Sequence, residues 1–224
     1  RRSWVTVRDA MMLLCIGIGL APAFKMRSWN IGAEGHILVG GCATAGFMIY
    51  FGGAVPTPVL LILMAVVSLA AGAVWGIIPA LFKSRWGTNE TLFTLMMNYV
   101  AIQITSYCVA LWENPVGSNT VGVINQRTKA GWFPEIFGQD YLLNVILVGA
   151  LTVGMFLYLK YTKQGYEIAV VGESQNTARY AGIKLSRVFI RTMAISGAIC
   201  GLAGFIAVAG AGHTISTSTA GGRG

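Results

Sequence analysis

The chain has 224 residues, 55% hydrophobic and only 11% charged, with a mean hydropathy of +0.65. A soluble domain carries about a quarter charged residues, so there is too little polar surface here to cover a water-facing globule, and a lipid membrane is the first reading. The net charge of +8 sits in short stretches between apolar runs, with no interleaving of aromatic and basic residues, which argues against nucleic-acid binding.

A helix needs about 20 apolar residues to cross the hydrocarbon core. Ala10–Phe24 is uncharged but short. Gly35 to Phe82 contains no Asp, Glu, Lys or Arg and is too long for one helix. Gly52, Gly53, Pro56 and Pro58 divide it into Gly35–Phe51 and Thr57–Phe82. Thr91–Trp112, Tyr141–Leu159 and Thr192–Gly212 follow. The expected fold is an all-α membrane protein, a polytopic transmembrane helical bundle of about six membrane segments, forming one domain over 1–224. Arg1 at the start and Gly-Gly-Arg-Gly at the end read as cut ends, so an internal piece of a longer protein is expected.

The connections set the orientation. Lys25–Glu34, Lys83–Glu90 and Lys160–Arg191 fall on one side by alternation, and up to Arg187 they carry Lys25, Arg27, Lys83, Arg85, Lys160, Lys163, Arg179, Lys184 and Arg187. The other side holds Arg127 and Lys129 in the long, turn-rich Trp112–Asp140 connection, together with Arg1, Arg2 and Arg8, which oppose the trend. The richer side is expected to be cytoplasmic. Within 160–191, Ser174 can cap a short helix over Gln175–Ala181, and Gly182 can take the left-handed geometry that ends it. Ser186 can cap the next span. On residues alone this insert is either a loop resting on lipid headgroups or a docking element for another protein.

Polar residues inside spans face a cavity or another helix. Asn98, Gln103, Thr105 and Ser106 lie in the third clear span, where Thr94 and Asn98 share a face. Asn30, Glu34 and His36 lie at a Gly-rich entry to an earlier one. Either group can line a path or bond neighbouring helices, and Asn30–Glu34 can equally be a structural turn with Glu34 capping backbone N–H groups. Gly197 and Gly201 have the small-xxx-small spacing of close helix packing, read here as packing within one subunit. Cys15, Cys42, Cys108 and Cys200 read as packing residues, with neither metal nor disulfide indicated. His213 and the hydroxyls after it read as loop. No phosphate-binding G-x-x-x-x-G-K-[ST] loop and no H-E-x-x-H is present.

Three motifs carry a resemblance. Gly165-Tyr-Glu-Ile-Ala-Val-Val-Gly-Glu-Ser-Gln-Asn-Thr-Ala-Arg-Tyr-Ala-Gly-Ile183 resembles the cytoplasmic loop of ABC importer permeases of the branched-chain amino acid, simple-sugar and nucleoside group, with Ser174 where Asn is usual and Thr177 where Ala is usual. The Ile195–Phe205 run resembles the span that follows. Trp29-Asn-Ile-Gly-Ala-Glu-Gly-His36 is similar to the W-N-I-G-A-E-G-Q signature of the nucleoside and simple-sugar branch, with His36 in place of Gln. Asn89 to Tyr99 resembles a third run of that branch.

The resemblance implies a permease subunit that forms the translocation path for a nucleoside or simple sugar. It implies a coupling helix in the cytoplasmic loop 160–191, with Gly172, Glu173, Ser174, Ala178, Arg179, Tyr180, Ala181 and Gly182 as the contact region for a separate ATP-binding subunit. Asn30, Glu34, His36, Thr94 and Asn98 are the candidate substrate-path residues. The chain itself is expected to need no cofactor and to catalyse nothing, ATP and Mg being bound by the partner ATPase. A second permease subunit, identical or related, and an extracellular or periplasmic substrate-binding protein complete the expected partners, in a prokaryotic inner membrane. The rival reading is a gradient-driven secondary transporter or channel without an ATPase; few charged groups lie mid-span to couple an ion.

Overall fold

The computed structural model describes residues 2–134 and 141–221. Arg1, the last part of the Trp112–Asp140 connection and the final three residues lie outside the described residues. Eight α-helices make up the described chain: α1 Arg2–Lys25, α2 Ala33–Phe51, α3 Thr57–Trp86, α4 Glu90–Leu111, α5 Leu142–Tyr161, α6 Lys163–Glu173, α7 Gln175–Tyr180 and α8 Leu185–Phe205. The last of these continues as a π-helix over Ile206–Gly212. No strand occurs among the described residues. The chain is an all-α, multi-pass membrane protein.

Five helical stretches are long and apolar enough to cross a membrane: Ser3–Lys25, Thr57–Trp86, Glu90–Leu111, Leu142–Tyr161 and Leu185–Gly212. The sixth expected segment, α2, has the length but is not among them, and it carries Glu34, His36 and four glycines. Its position explains the difference. It packs against α3, α4 and α8, so most of its surface meets protein rather than lipid. A helix shielded in this way needs small residues for close approach more than it needs a hydrocarbon-like exterior.

The bundle is built around α8, the most buried of the spans, and α3 makes the most extensive contact with it. Glycine decides this geometry. A Cβ on Gly201 would stand 2.5 Å from the Ser68 carbonyl oxygen, and one on Gly72 would run into the Gly197 carbonyl. Gly40 of α2 meets Gly201 from another side, where an added Cβ would lie 2.6 Å from its Cα. Three backbones therefore converge on Gly201. The small-xxx-small spacing at 197 and 201 is used inside the subunit, as its sequence suggested. Ser68 reinforces the contact by donating its hydroxyl to the Gly201 carbonyl. On the other flank α1 packs on α8 and α5, and Cys15, Cys42 and Cys200 are buried there and elsewhere in the core as free thiols.

The connections gather at two ends. At one, Lys83 pairs with Glu90, Ser28 donates to Glu90 (3.2 Å), and Arg191 meets Glu167 at 2.7 Å. The Lys25 ammonium reaches the Leu159 carbonyl (3.3 Å). This is the end assigned to the cytoplasm by its lysines and arginines. At the other end the 112–134 segment folds back on the helices. Asn125 donates to the Met48 and Ala130 carbonyls, at 2.7 and 3.2 Å, and Trp132 donates to Ile124 at 2.9 Å. The Ile124 N–H donates to the His213 carbonyl (2.8 Å).

Two local expectations change. The insert holds two helices, because α6 precedes α7; its apolar residues Ile168 and Val171 are buried against Met26, Val188 and Phe189, a tertiary fit that periodicity in so short a segment does not announce. The second change concerns Ser186, which does not cap α8. The cap position is Lys184, and Ser186 lies in the first turn.

Candidate functional site

The signature turn before α2 is held by side chains from two other helices. The first N–H groups of a helix have no partner within it, and Gly32, at the cap of α2, has no side chain to offer. Asn98 of α4 fills the gap: its Oδ1 accepts from the Gly35 N–H (2.9 Å) and its Nδ2 donates to the Ile31 carbonyl (2.8 Å). Thr94, one turn earlier, accepts from the Ile31 N–H (3.3 Å). Asn30 folds back to accept from the Gly32 N–H (2.9 Å), and its amide reaches Ser196 of α8 at 3.4 Å. All three are buried. The structure thus brings Asn30, Thr94 and Asn98 together, facing inward, with polar atoms taken up by the turn.

Glu34 and His36 stand apart from that network. Glu34 is half-buried and, among the described residues, makes no ion pair; it does not cap α2. The imidazole of His36 is fully buried. Its Nδ1 meets the Gly32 carbonyl, and its Nε2 has no hydrogen-bond partner. Glycines make the room: a Cβ on Gly76 would lie 3.1 Å from Nε2, and one on Gly197 2.9 Å.

The loop over 160–191 has a buried underside and a bare outer surface. The Ser174 hydroxyl accepts from the Thr177 N–H (3.2 Å), capping α7 as expected. α7 spans Gln175–Tyr180, and Gly182 ends it at φ 76°, a geometry glycine adopts without strain. Gly172 is pressed onto the end of α1, where a side chain would run into the Lys25 carbonyl. Ala178 is fully buried in the small core formed with Met26, Ile168, Val171, Val188 and Phe189. Glu173, Arg179, Tyr180, Ala181 and Gly182 point outward. Tyr180 is 94% exposed, so a large aromatic ring stands in water with no support from its own chain.

At the opposite end, a cavity of about 410 Å³ lies among Lys129, Trp132, Phe133, Pro134, Tyr141, Gly210 and His213. Trp132 and His213 stack there with ring centroids 3.8 Å apart. The sequence pattern around His213 announces only a loop. It is the fold that brings its ring to Trp132, a residue from a distant connection.

A family described as the branched-chain amino acid transport system / permease component matches residues 5–221. The chain belongs to this permease family. Relatives include the guanosine ABC transporter permease protein NupP of Bacillus subtilis, 32% identical over 202 residues, covering 89% of this chain and 57% of that protein. A nucleoside ABC transporter permease of Lactococcus lactis is 26% identical, covering 90% of this chain and 57% of its own length. A glucose ABC transporter permease of Haloferax volcanii is 29% identical, covering 90% and 55%. The chain therefore spans a little over half the length of these relatives. No solved structure matches it. The match embraces the signature turn, α4 and the loop over 160–191, so the features described above belong to one permease body.

Proposed function

We propose that this chain is the membrane-embedded part of the permease subunit of an ABC importer that carries a nucleoside, with a simple sugar as the alternative cargo. The carrying observation is the cytoplasmic loop: a short capped helix, anchored from below by Ala178 and Gly172, presents Arg179 and Tyr180 to solvent on the basic side of the membrane. A surface built and fixed in this way suits a partner protein. In this reading the partner is a separate ATP-binding subunit, which binds ATP and Mg and hydrolyses the nucleotide, while this chain supplies no catalytic group. A second permease subunit closes the path, a binding protein delivers the solute from outside, and the membrane is the prokaryotic inner membrane. The names of the relatives, guanosine and nucleoside before glucose, favour the nucleoside.

The test is uptake into proteoliposomes holding the full-length permease with its ATPase and binding protein. Labelled guanosine is supplied with and without ATP on the ATPase side, and excess ribose competes. ATP-dependent uptake that ribose leaves untouched is the expected result. ATP-dependent uptake of ribose without guanosine moves the cargo to sugars, and uptake indifferent to ATP overturns the importer reading in favour of a gradient-driven carrier.

A further inference from the structure

We propose that the outward face of α4 lines the solute path, and that Tyr99, Gln103, Ser106 and Tyr107 receive a purine nucleoside there, by ring stacking and by hydrogen bonds to the Gln103 amide. The inference rests on the nucleoside reading above and adds the side chains that meet the solute inside the membrane.

At about 100° per residue these four positions fall within an arc of about 100° on the helix. The arc lies opposite the buried face of α4, formed by Thr94, Asn98, Ala101, Thr105 and Val109. Tyr99 and Tyr107 are 66% and 70% exposed, and Gln103 and Ser106 are exposed between them. The exposed surface of α4 also carries Leu92, Met96, Val100 and Ile104, and what sets it apart from α3 and α5 is the amide, the hydroxyl and the phenols placed among them. The exposed face of α3 carries Val59, Ile62, Leu63, Val66 and Val74, and that of α5 carries Ile146, Val153, Phe156 and Leu157. Those faces suit hydrocarbon. A carboxamide aimed into lipid within a span does not, because it finds no partner there for its donors and acceptor.

Neither an interfacial aromatic belt nor a second copy of the chain accounts for this face as well. Aromatic residues at the membrane–water interface account for Trp29 and Trp86, which lie at helix ends. Tyr99 lies near the middle of the 22-residue helix, away from either interface. Helices that pack closely against a second copy in lipid use small residues, and the glycines this chain leaves open within its spans are Gly17 on α1 and Gly149 and Gly154 on α5, not on α4. Two tyrosines and a glutamine leave a rough, wet surface rather than a close fit.

The chemistry of the face matches a nucleoside. A planar base stacks on an aromatic ring for about 1–3 kcal/mol in nucleic-acid sites, and a carboxamide offers both donors and an acceptor to a base edge. Tyr99 and Tyr107 are separated by eight residues, about 12 Å along the axis, so the face offers two stacking platforms with the amide between them. At the end of α4 Leu111 and Trp112 border an open cleft with Glu113, Asn114 and Asn125, on the side of the helix that faces α2. The Trp112 indole donates to the Tyr50 hydroxyl there (3.1 Å).

Gln103→Cys in the full-length permease, assembled with its ATPase and binding protein in proteoliposomes, tests the proposal. A charged, membrane-impermeant thiol reagent is expected to modify the cysteine in at least one nucleotide state. Guanosine presented on the binding protein is expected to slow that modification at least about fivefold, the scale of one lost stacking contact, while ribose leaves it unchanged. Ser106→Cys repeats the measurement if the first variant does not assemble. Guanosine uptake by the unaltered complex is followed in parallel. Uptake with no modification at either position puts the face in lipid and overturns the path assignment alone. Efficient disulfide cross-linking between copies at 103 makes it a subunit interface and also overturns it. Modification that guanosine does not slow, in a complex that takes up guanosine, removes the binding role. Absence of guanosine uptake overturns the nucleoside reading itself.

Discussion

Asn98 bonds two backbone groups of a turn that belongs to another helix, and nothing else nearby can replace it. Leucine at this position leaves the Gly35 N–H and the Ile31 carbonyl buried without partners. Each such group costs about 1–3 kcal/mol, so Asn98→Leu is expected to lower the thermal midpoint of the detergent-purified permease sharply and to reduce its yield. A variant that keeps its midpoint and alters only cargo preference would show that Asn98 meets the solute instead. Thr94→Val removes one acceptor from the same turn and is expected to do less, about 1 kcal/mol, in the same melting assay. The periodicity of α4 is readable from the sequence, since Thr94 and Asn98 are four apart. Which side of the helix faces the protein is not. An amide suits a path and a buried turn equally well, and only the position of the Ile31 backbone decides between them.

At the scale of elements, α7 has six residues and no stability of its own. It persists because Ser174 caps it, Ala178 anchors it and Gly182 turns the chain toward α8. Ser174→Ala is expected to destabilise this turn by about 1 kcal/mol, visible as faster amide exchange over 175–181 with the spans unchanged. Arg179→Glu is expected to leave the fold intact, because the side chain is exposed, and to reverse the charge offered to the proposed ATPase partner. Loss of solute-stimulated ATP hydrolysis, with basal hydrolysis retained, is the expected outcome. Normal transport by that variant removes Arg179 from the contact region. The cap and the terminating glycine are legible in the sequence because local chemistry dictates them. α6 is not, because its helix depends on Ile168 and Val171 finding Met26 and Phe189, contacts that no local pattern specifies.

Across the whole molecule, the order of the spans and the split at Gly52–Pro58 follow from hydropathy and turn chemistry, so the bundle is visible in the sequence. Its centre is not. α2 reads as one span among six, yet it is wrapped by protein, and its four glycines are the trace of that position. The convergence at Gly201 gives a test at this scale. Gly201→Leu must separate α8 from both α2 and α3, since neither Gly40 nor Ser68 leaves space for a side chain. Misfolding, read as loss of the monodisperse permease after extraction, is expected. Gly149→Leu on α5, where an added Cβ meets nothing within 4 Å, is expected to be tolerated in the same assay.

The continuity of α8 has a mechanical meaning. From Leu185 to Gly212 the backbone is helical throughout, 28 residues and roughly 40 Å without a proline, and it passes from α to π geometry at Ile206. One tip begins five residues after Tyr180, where the loop is bare; the other ends beside the stacked Trp132 and His213. A displacement applied at the loop tip travels through the α-helical part and meets its first compliant point at the π segment beside Trp132 and His213. Glycine contacts between Met193 and Gly204 clamp the helix to α2 and α3, and Asn98 and Thr94 tie α4 to the turn that opens α2.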